Sequence, residues 1–173
     1  MQVYSFPPIS APDATRLVLG SMPGKASLAA GQYYAHPRNH FWQVIETLLD
    51  LPAGSSYEAR CAALVAHRIA LWDVLKACFR SSSLDSDIVE ESIVPNDFAG
   101  FLTRHPRIRA IYFNGAKAES VYLRHVRPTL PDALASIPLC RLPSTSPANA
   151  SWTFRDKLER WRVVATPSRA LGR

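Results

Sequence analysis

The chain has 173 residues, enough to bury one sizeable hydrophobic core, whereas two independent cores would leave each half marginally stable. Apolar residues make up 47% and charged residues 20%, which excludes a disordered or fibrous chain. Lys and Arg number 20 against 14 Asp and Glu, so the net charge of +6 permits a polyanionic partner without requiring one. We therefore expect a single domain over residues 1–165 and a flexible tail over 166–173.

The cysteine content and the N-terminal segment bear on compartment and cofactors. Cys61, Cys78 and Cys140 are widely spaced and form no CxxC pair, which favours reduced thiols without a zinc or redox role. The opening MQVYSFPPIS lacks a basic region followed by an apolar stretch, and no window approaches about eighteen apolar residues. We therefore expect a cytoplasmic protein with no membrane partner, no metal and no other cofactor.

The first half of the chain alternates apolar runs with turn residues. Residues 16–20 (RLVLG) predict a short buried strand that ends in the turn at 20–24 (GSMPG). Apolar side chains then recur at helical spacing from position 41, which predicts a helix with Asn39 as its N-cap. Ser55 begins a capping-box spacing and predicts a second helix that runs to about position 67. Residues 69–74 (IALWDV) predict the next strand.

The second half continues the same alternation. The Ser-rich stretch at 81–86 predicts a surface loop, and Asn96 predicts the cap of a helix that ends before His105 and Pro106. Two further strands and two further helices follow from the apolar pattern, the strands at 108–113 and 139–142 and the helices at 115–125 and 152–164.

Strands separated by helices predict parallel pairing, because a parallel return requires a crossover. We therefore expect an α/β fold, a three-layer α/β/α sandwich with a short, four-stranded, mainly parallel central sheet. Ligands of such open sheets bind at the carboxyl ends of the strands. Polar or Gly/Pro turns follow every predicted strand, at 20–24, 72–73, 114–115 and 142–147. Their convergence on one edge predicts a cleft.

Several common catalytic motifs are absent from the sequence. It has no GxGxxG, GxxxxGK[ST], HExxH or GxSxG pattern, so dinucleotide-binding, P-loop, zinc-protease and serine-hydrolase functions have no motif support.

Three other segments carry a resemblance to a known family. The GSMPG turn at 20–24 and QYYAHPRNHFW at 32–42 resemble the first motif of the mismatch-type uracil-DNA glycosylases, GxNPG followed by His-Pro-x-Asn-x-Phe-Trp. The segment LPSTSP at 142–147 is similar to their second motif, the loop that grips DNA around the flipped nucleotide. FNGAKA at 113–118 resembles the superfamily's third strand and Gly-x-x-Ala helix start. The match spans residues 17–161, in family order.

One position departs from the mismatch-type pattern. Met22 stands where those enzymes carry the asparagine that positions the attacking water, and a thioether is only a weak acceptor. The segments GSMPG and QYYAHPRN instead resemble those of the hypoxanthine-DNA glycosylase branch, in which the asparagine of the His-Pro-x-Asn segment is taken as catalytic. The resemblance thus implies a monofunctional DNA glycosylase that removes a flipped deaminated base, preferentially hypoxanthine, and leaves an abasic site. It implies Asn39 as the catalytic residue.

The resemblance also implies roles for residues around Asn39. Base-binding roles fall on the stacking aromatic Tyr34 and on Asn114, Ser21 and Met22. DNA-binding roles fall on the second motif loop, Ser144, Thr145, Ser146, Pro147 and Asn149. The implied partner is single- or double-stranded DNA with a deaminated base, and we expect a monomer.

Plainer interpretations of these residues remain open at this point. Asn39 fits a helix N-cap, Tyr34 fits core packing, Asn114 fits a strand-end turn, and the hydroxyls at 144–146 fit a capped loop. A carboxamide can also donate to a leaving base or accept from a water, which suits glycosidic cleavage. The alternative functions are uracil excision and a catalytically silent DNA-binding module.

Four more polar residues lie in or near the motifs. Lys25 and Lys117 fit solvated surface charges, and we assign neither a catalytic role. His36 and Asp73 are placed toward the cleft, where each is as apt to orient a neighbour as to touch substrate.

Overall fold

The fold is that of a computed structural model, which describes residues 1–166. The predicted domain over 1–165 falls within this range, and the predicted tail lies outside the described residues except for Thr166. Within residues 1–166, no helix is both long enough and apolar enough to cross a membrane.

Within residues 1–166, seven strands and seven α-helices form the domain. The strands are β1 Gln2–Tyr4, β2 Arg16–Gly20, β3 Ile69–Asp73, β4 Leu75–Phe79, β5 Val94–Pro95, β6 Ala110–Asn114 and β7 Leu139–Leu142. The helices are α1 Lys25–Ala30, α2 Phe41–Leu48, α3 Tyr57–Ala66, α4 Phe98–Arg104, α5 Ala116–Val121, α6 Asp132–Ala135 and α7 Phe154–Ala165. A π-helical turn, Tyr122–Val126, continues α5.

The central sheet has four strands in the order β3-β2-β6-β7, and every pair is parallel. Strands β2 and β3 are buried along their whole length, as expected of a parallel sheet whose two faces are both covered by helices. Helices α2, α3 and α7 pack on one face, and α4 and α5 contribute to the core on the other. The predicted three-layer sandwich with a four-stranded parallel sheet is therefore confirmed.

The sheet separates two apolar clusters. Within β2, Leu17 and Leu19 face one cluster and Val18 faces the other, as the period-two geometry of a strand requires. The fully buried Phe41 and Trp161 anchor the cluster beneath α2 and α7. These two layers hold the strand ends in fixed register, and the cleft described below is built on those ends.

A second, small sheet was not predicted from the sequence. Strands β1, β4 and β5 form an antiparallel sheet in the order β1-β4-β5. The strand predicted at 69–74 is β3, which ends at Asp73. Val74 alone separates β3 from β4, which belongs to the second sheet. The Val74 N–H donates to the carbonyl of Gly20 at 2.8 Å, which continues the parallel pairing with β2, whereas its carbonyl accepts from the N–H of Asn96 at 2.9 Å, directly after β5. The chain therefore passes from one sheet to the other at this residue.

The predicted cap of α2 is displaced by one residue. The N-cap position belongs to His40, whose side chain makes no capping bond. Asn39 lies one residue earlier, and its Oδ1 still accepts from the N–H of Phe41 at 2.9 Å. The side chain therefore satisfies an orphan donor at the helix start without being the N-cap.

The predicted caps of α3 and α4 are each wrong by one residue. Ser56, not Ser55, caps α3, and the Ser55 hydroxyl donates to a carbonyl of the preceding turn. Asp97, not Asn96, caps α4, while the Asn96 side chain donates to the main-chain carbonyl of Asp73 at 2.8 Å. Adjacent residues with equal capping ability cannot be separated by propensity alone.

Candidate active site

A cleft of about 1210 Å³ opens at the carboxyl edge of the parallel sheet. The last residues of the four strands, Asp73, Gly20, Asn114 and Leu142, all line it. So do all the site residues predicted from the sequence, namely Ser21, Met22, Tyr34, Asn39, Asn114, Ser144, Thr145, Ser146, Pro147 and Asn149. The fold thus brings together segments that are more than a hundred positions apart in the chain.

Tyr34 forms an aromatic wall of the cleft. Its ring stacks on Phe41 with centroids 4.0 Å apart and planes inclined by 26°. Its φ of 54° lies in the left-handed region, which is uncommon for a bulky residue. The hydroxyl is buried and has no hydrogen-bond partner among residues 1–166. Burial, reinforced by the nearby Asp73, raises the pKa of this phenol well above its usual range.

Asn39 is half-buried at the cleft wall, held by the main chain on both sides. Its N–H donates to the carbonyl of His36, and its Oδ1 accepts from the N–H of Phe41, both at 2.9 Å. These bonds orient the carboxamide, and no described residue accepts from its Nδ2. The arrangement leaves Nδ2 as a donor of fixed direction.

Ser21 and Met22 occupy different environments within the GSMPG turn. Met22 is buried and belongs to the apolar cluster beneath α4 and α5. Ser21 donates its hydroxyl hydrogen to Oδ1 of Asp85 at 2.6 Å. Met22 therefore fills a packing position at the edge of the cleft, and Ser21 connects the turn to the loop that contains Asp85.

Asn114 and Thr145 join two walls of the cleft by a pair of hydrogen bonds. Nδ2 of Asn114 donates to Oγ1 of Thr145, and the N–H of Thr145 donates to Oδ1 of Asn114, both at 2.9 Å. The carbonyl of Thr145 in turn accepts from the N–H of His40 at 3.0 Å. Thr145 is fully buried, so its side chain holds the walls together and is not accessible to a DNA phosphate in this conformation.

The rest of the second motif loop is half-exposed and folds on its own hydroxyls. Oγ of Ser144 accepts from the N–H of Ser146, and Oγ of Ser146 accepts from the N–H of Ala148, both at 3.2 Å. Nδ2 of Asn149 donates to the carbonyl of Ser144 at 3.0 Å. Because both hydroxyls act as acceptors inside the loop, each can still donate its own hydrogen outward.

The deep end of the cleft contains the carboxyl group of Asp73, which was predicted from the sequence to lie toward the cleft but was assigned no definite role. Asp73 is only 3% exposed, and its Oδ2 has no hydrogen-bond partner among the described residues. Burial raises the pKa of this carboxyl to about 7, with Asp85 adding to the shift and Arg80 opposing it. A Cβ on Gly20 would lie 2.5 Å from Oδ1 of Asp73 and 2.7 Å from the hydroxyl of Tyr34, so both groups meet at this glycine.

The Ser-rich segment at 81–86 is more than the surface loop predicted from its composition. Its residues 83–86 are exposed, yet they line the same cleft as the second motif loop. Oγ of Ser83 accepts from the N–H of Lys25 at 2.9 Å. The buried Arg80, just before the segment, donates to the carbonyl of Pro23. No local pattern marks this segment as a cleft wall, because the contacts join residues over fifty positions apart.

Several cationic side chains line the rim of the cleft, which was not predicted from the sequence. Lys25, Arg38 and Arg160 are exposed and line the cleft, although they are scattered through the sequence. Arg141 lines it too, but pairs with Glu119 at 3.6 Å. A positive rim around a cleft attracts a phosphate backbone.

Two other lysines near the site are either ion-paired or outside the cleft lining. Lys117 forms an ion pair with Glu90. Lys157 is buried in α7, with Nζ 3.4 Å from Nδ1 of His40, and burial lowers its pKa, but it does not line the cleft. Within residues 1–166, no group of three or more His, Cys, Asp and Glu side chains is placed to hold a metal ion.

Comparisons with known proteins agree with this architecture. The family model described as the uracil DNA glycosylase superfamily matches residues 7–165. A hypoxanthine DNA glycosylase of Methanosarcina acetivorans is 41% identical over 65% of this chain and 71% of its own length. The enzyme of the same name from Methanosarcina barkeri is 36% identical over 68% of this chain and 74% of its own length. A solution NMR structure from M. acetivorans, provisionally assigned as a uracil DNA glycosylase, superposes with a TM-score of 0.78 at 34% identity, covering 95% of this chain and 97% of that one.

Proposed function

Because this chain belongs to the uracil DNA glycosylase superfamily and is a DNA glycosylase, we propose that its preferred substrate is deoxyinosine in DNA, from which it releases hypoxanthine. The observation that carries the proposal is the meeting of Tyr34, Asn39 and the loop at 144–149 in one cleft. Two relatives that share at least 36% of the matched residues are named for hypoxanthine. The product is an abasic site in an otherwise intact strand.

The base must leave the helical stack before its glycosidic carbon can be reached. Tyr34 offers a preformed surface for the extruded base, since Phe41 supports its ring from behind and fixes its tilt. Aromatic rings bind planar bases by offset stacking, which depends little on base identity. Selection among bases therefore falls to the polar groups at the ring's buried end.

Asn39 acts on the departing base. Hydrolysis breaks the bond between C1′ and the base nitrogen, and the electron pair leaves with the base while the sugar gains oxocarbenium character. A water oxygen then bonds to C1′, and its displaced proton neutralises the base anion directly or through solvent. The Nδ2 of Asn39, aimed by the bond from Phe41 to Oδ1, donates to the charge that develops on the base.

The cleft rim binds the backbone on both sides of the extruded nucleotide. The outward hydroxyls of Ser144 and Ser146 and the side chains of Lys25, Arg38 and Arg160 supply donors and positive charge. Pro147 and Asn149 shape the loop that presents the hydroxyls. We propose that one copy of the chain is sufficient and that both single- and double-stranded DNA are bound.

A glycosylase assay on matched oligonucleotides tests the proposal. Duplexes and single strands that carry one deoxyinosine, deoxyuridine, deoxyxanthosine or undamaged base are incubated with excess enzyme, and abasic sites are cleaved with hot alkali. We expect the deoxyinosine strand to be cut fastest and the undamaged strand to stay intact. Fastest release of uracil would identify a uracil glycosylase instead. Binding without release from any strand would identify a catalytically silent DNA-binding protein.

A further inference from the structure

Asp73 is a buried carboxyl at the floor of the cleft that forms no ion pair within residues 1–166. No Lys, Arg or His nitrogen among residues 1–166 comes within ion-pair distance of it. Only 3% of the residue is exposed, and its Oδ2 is without a partner. A buried polar atom left unsatisfied costs free energy, so its presence at a cleft floor calls for a ligand that completes it.

The surroundings of Asp73 favour its neutral form. The segment before α2 contributes Tyr33 and Tyr34, and the segment after β4 contributes Arg80 and Asp85. The neighbouring end of β2 contributes only the backbone of Gly20. Burial outweighs the opposing effect of Arg80 and brings the pKa of the carboxyl to about 7. The carboxyl is therefore mostly protonated below about pH 7 and loses its proton as the pH rises through that value.

We propose that Asp73 is a catalytic residue that donates a hydrogen bond from its neutral carboxyl to the carbonyl oxygen of the flipped, deaminated base. This inference rests on the proposed function, and it assigns the site to bases that carry a carbonyl oxygen on the edge farthest from the sugar. The Tyr34 hydroxyl and Oδ1 of Asp73 both adjoin Gly20, so a base stacked on the Tyr34 ring with its far edge inward reaches the carboxyl.

The chemistry gives the carboxyl a role in the bond-breaking step. Negative charge that develops on a departing hypoxanthine or uracil spreads onto its carbonyl oxygens. A neutral carboxyl that donates to such an oxygen binds more strongly as the charge grows, which lowers the barrier. An ionised carboxyl at the same place repels that charge. The proton stays on Asp73 throughout, so no proton balance changes in this step.

The decisive experiment compares Asp73→Asn with Asp73→Ala across pH. Asn keeps the shape and a donor but does not titrate, whereas Ala removes the donor. Single-turnover release of hypoxanthine is followed from about pH 5.5 to about pH 8.5. We expect the wild-type rate to fall as pH rises through about 7, and Asp73→Asn to lose that fall while keeping a rate within about tenfold. Asp73→Ala should be slower by roughly a hundredfold.

Controls separate this inference from folding and from the proposed function. Asp132→Asn makes the same change at an exposed residue outside the cleft and should keep the wild-type fall. Thermal unfolding of each variant reports whether it is folded. If Asp73→Ala does not fold, the shape of the Asp73→Asn profile still decides. A wild-type fall retained in Asp73→Asn, or normal release by folded Asp73→Ala, overturns the role of Asp73 alone. No release of any base by the wild-type enzyme overturns the proposed function and this inference together.

Discussion

Replacing Asn39 separates its structural contact from its chemical one. Oδ1 satisfies the N–H of Phe41 at the start of α2, while Nδ2 is unpaired within the described residues. Asn39→Ala removes both, whereas Asn39→Asp keeps the acceptor and places a negative charge at a helix N-terminus, where it is favourable. The two variants therefore differ in stability but share the loss of the donor.

The magnitudes follow from these contacts. Loss of a side-chain acceptor at a helix start costs about 0.5–2 kcal/mol, so Asn39→Ala should unfold at a lower temperature and Asn39→Asp should not. Loss of a preorganised donor to a developing anion lowers the rate by roughly a hundredfold, or about 2.7 kcal/mol of barrier. We expect Asn39→Asp to lose at least as much activity at neutral pH, because its charge repels the departing base.

The assay is single-turnover release of hypoxanthine with enzyme in excess, paired with thermal unfolding of the same preparations. Near-normal release by folded Asn39→Ala would remove Asn39 from the mechanism. Near-normal release by Asn39→Asp together with a slow Asn39→Ala would refute Nδ2 as the working atom and assign the role to Oδ1, acting on water.

Three further predictions address the floor, the rim and the type of chemistry. Gly20→Ala places a Cβ 2.5 Å from Oδ1 of Asp73 and should lower release by at least about tenfold, whereas Gly24→Ala meets its nearest atom at 3.5 Å and should not; equal effects would contradict the close approach at Gly20. DNA affinity should fall with salt at a log–log slope of about −3 to −5, and Arg38→Ala should reduce that slope by about 1, while the exposed Arg107→Ala, outside the cleft, should leave it unchanged. A slope near zero would exclude a phosphate-binding cleft. Borohydride should trap no protein–DNA adduct, because Lys25, which lines the cleft, is exposed, and Lys117 is paired with Glu90 and does not line the cleft. Chelator should not change the rate, because no group of three or more His, Cys, Asp and Glu side chains within residues 1–166 is placed to hold a metal ion. An adduct lost in Lys25→Ala would make that amine the nucleophile.

The parallel sheet was predictable because its strands are short apolar runs bounded by turns. β2 and β7 lie where the sequence placed them, at Arg16–Gly20 and Leu139–Leu142. The antiparallel sheet was not, since only Val74 separates β4 from β3, and what makes β4 a strand of another sheet is its pairing with β1 and β5, which are distant in the sequence. Register and pairing beyond the neighbouring strand are not local properties of the chain.

The candidate site, too, was predictable from the sequence only in part. The motif residues could be named because they are consecutive in short segments, and the one-edge rule for parallel sheets predicts that those segments meet. The environment of Asp73 could not be predicted, although its place directly after a buried strand was a usable signal. Its desolvation is a tertiary effect, and the two charges that act on its pKa, those of Asp85 and Arg80, lie within and just before a segment that composition alone marks as solvent-exposed.

Paired bonds between Asn114 and Thr145 tie the second motif loop, which we propose to face the DNA backbone, to the end of β6, and the contact of Thr145 with His40 ties the same loop to the segment that holds Asn39. These walls are joined before any DNA is present. The conformational entropy of bringing them together is thus lost when the chain folds, not when the substrate arrives. Binding free energy is left for extruding the nucleotide, and a change that loosens this link should slow the reaction without touching a reacting atom.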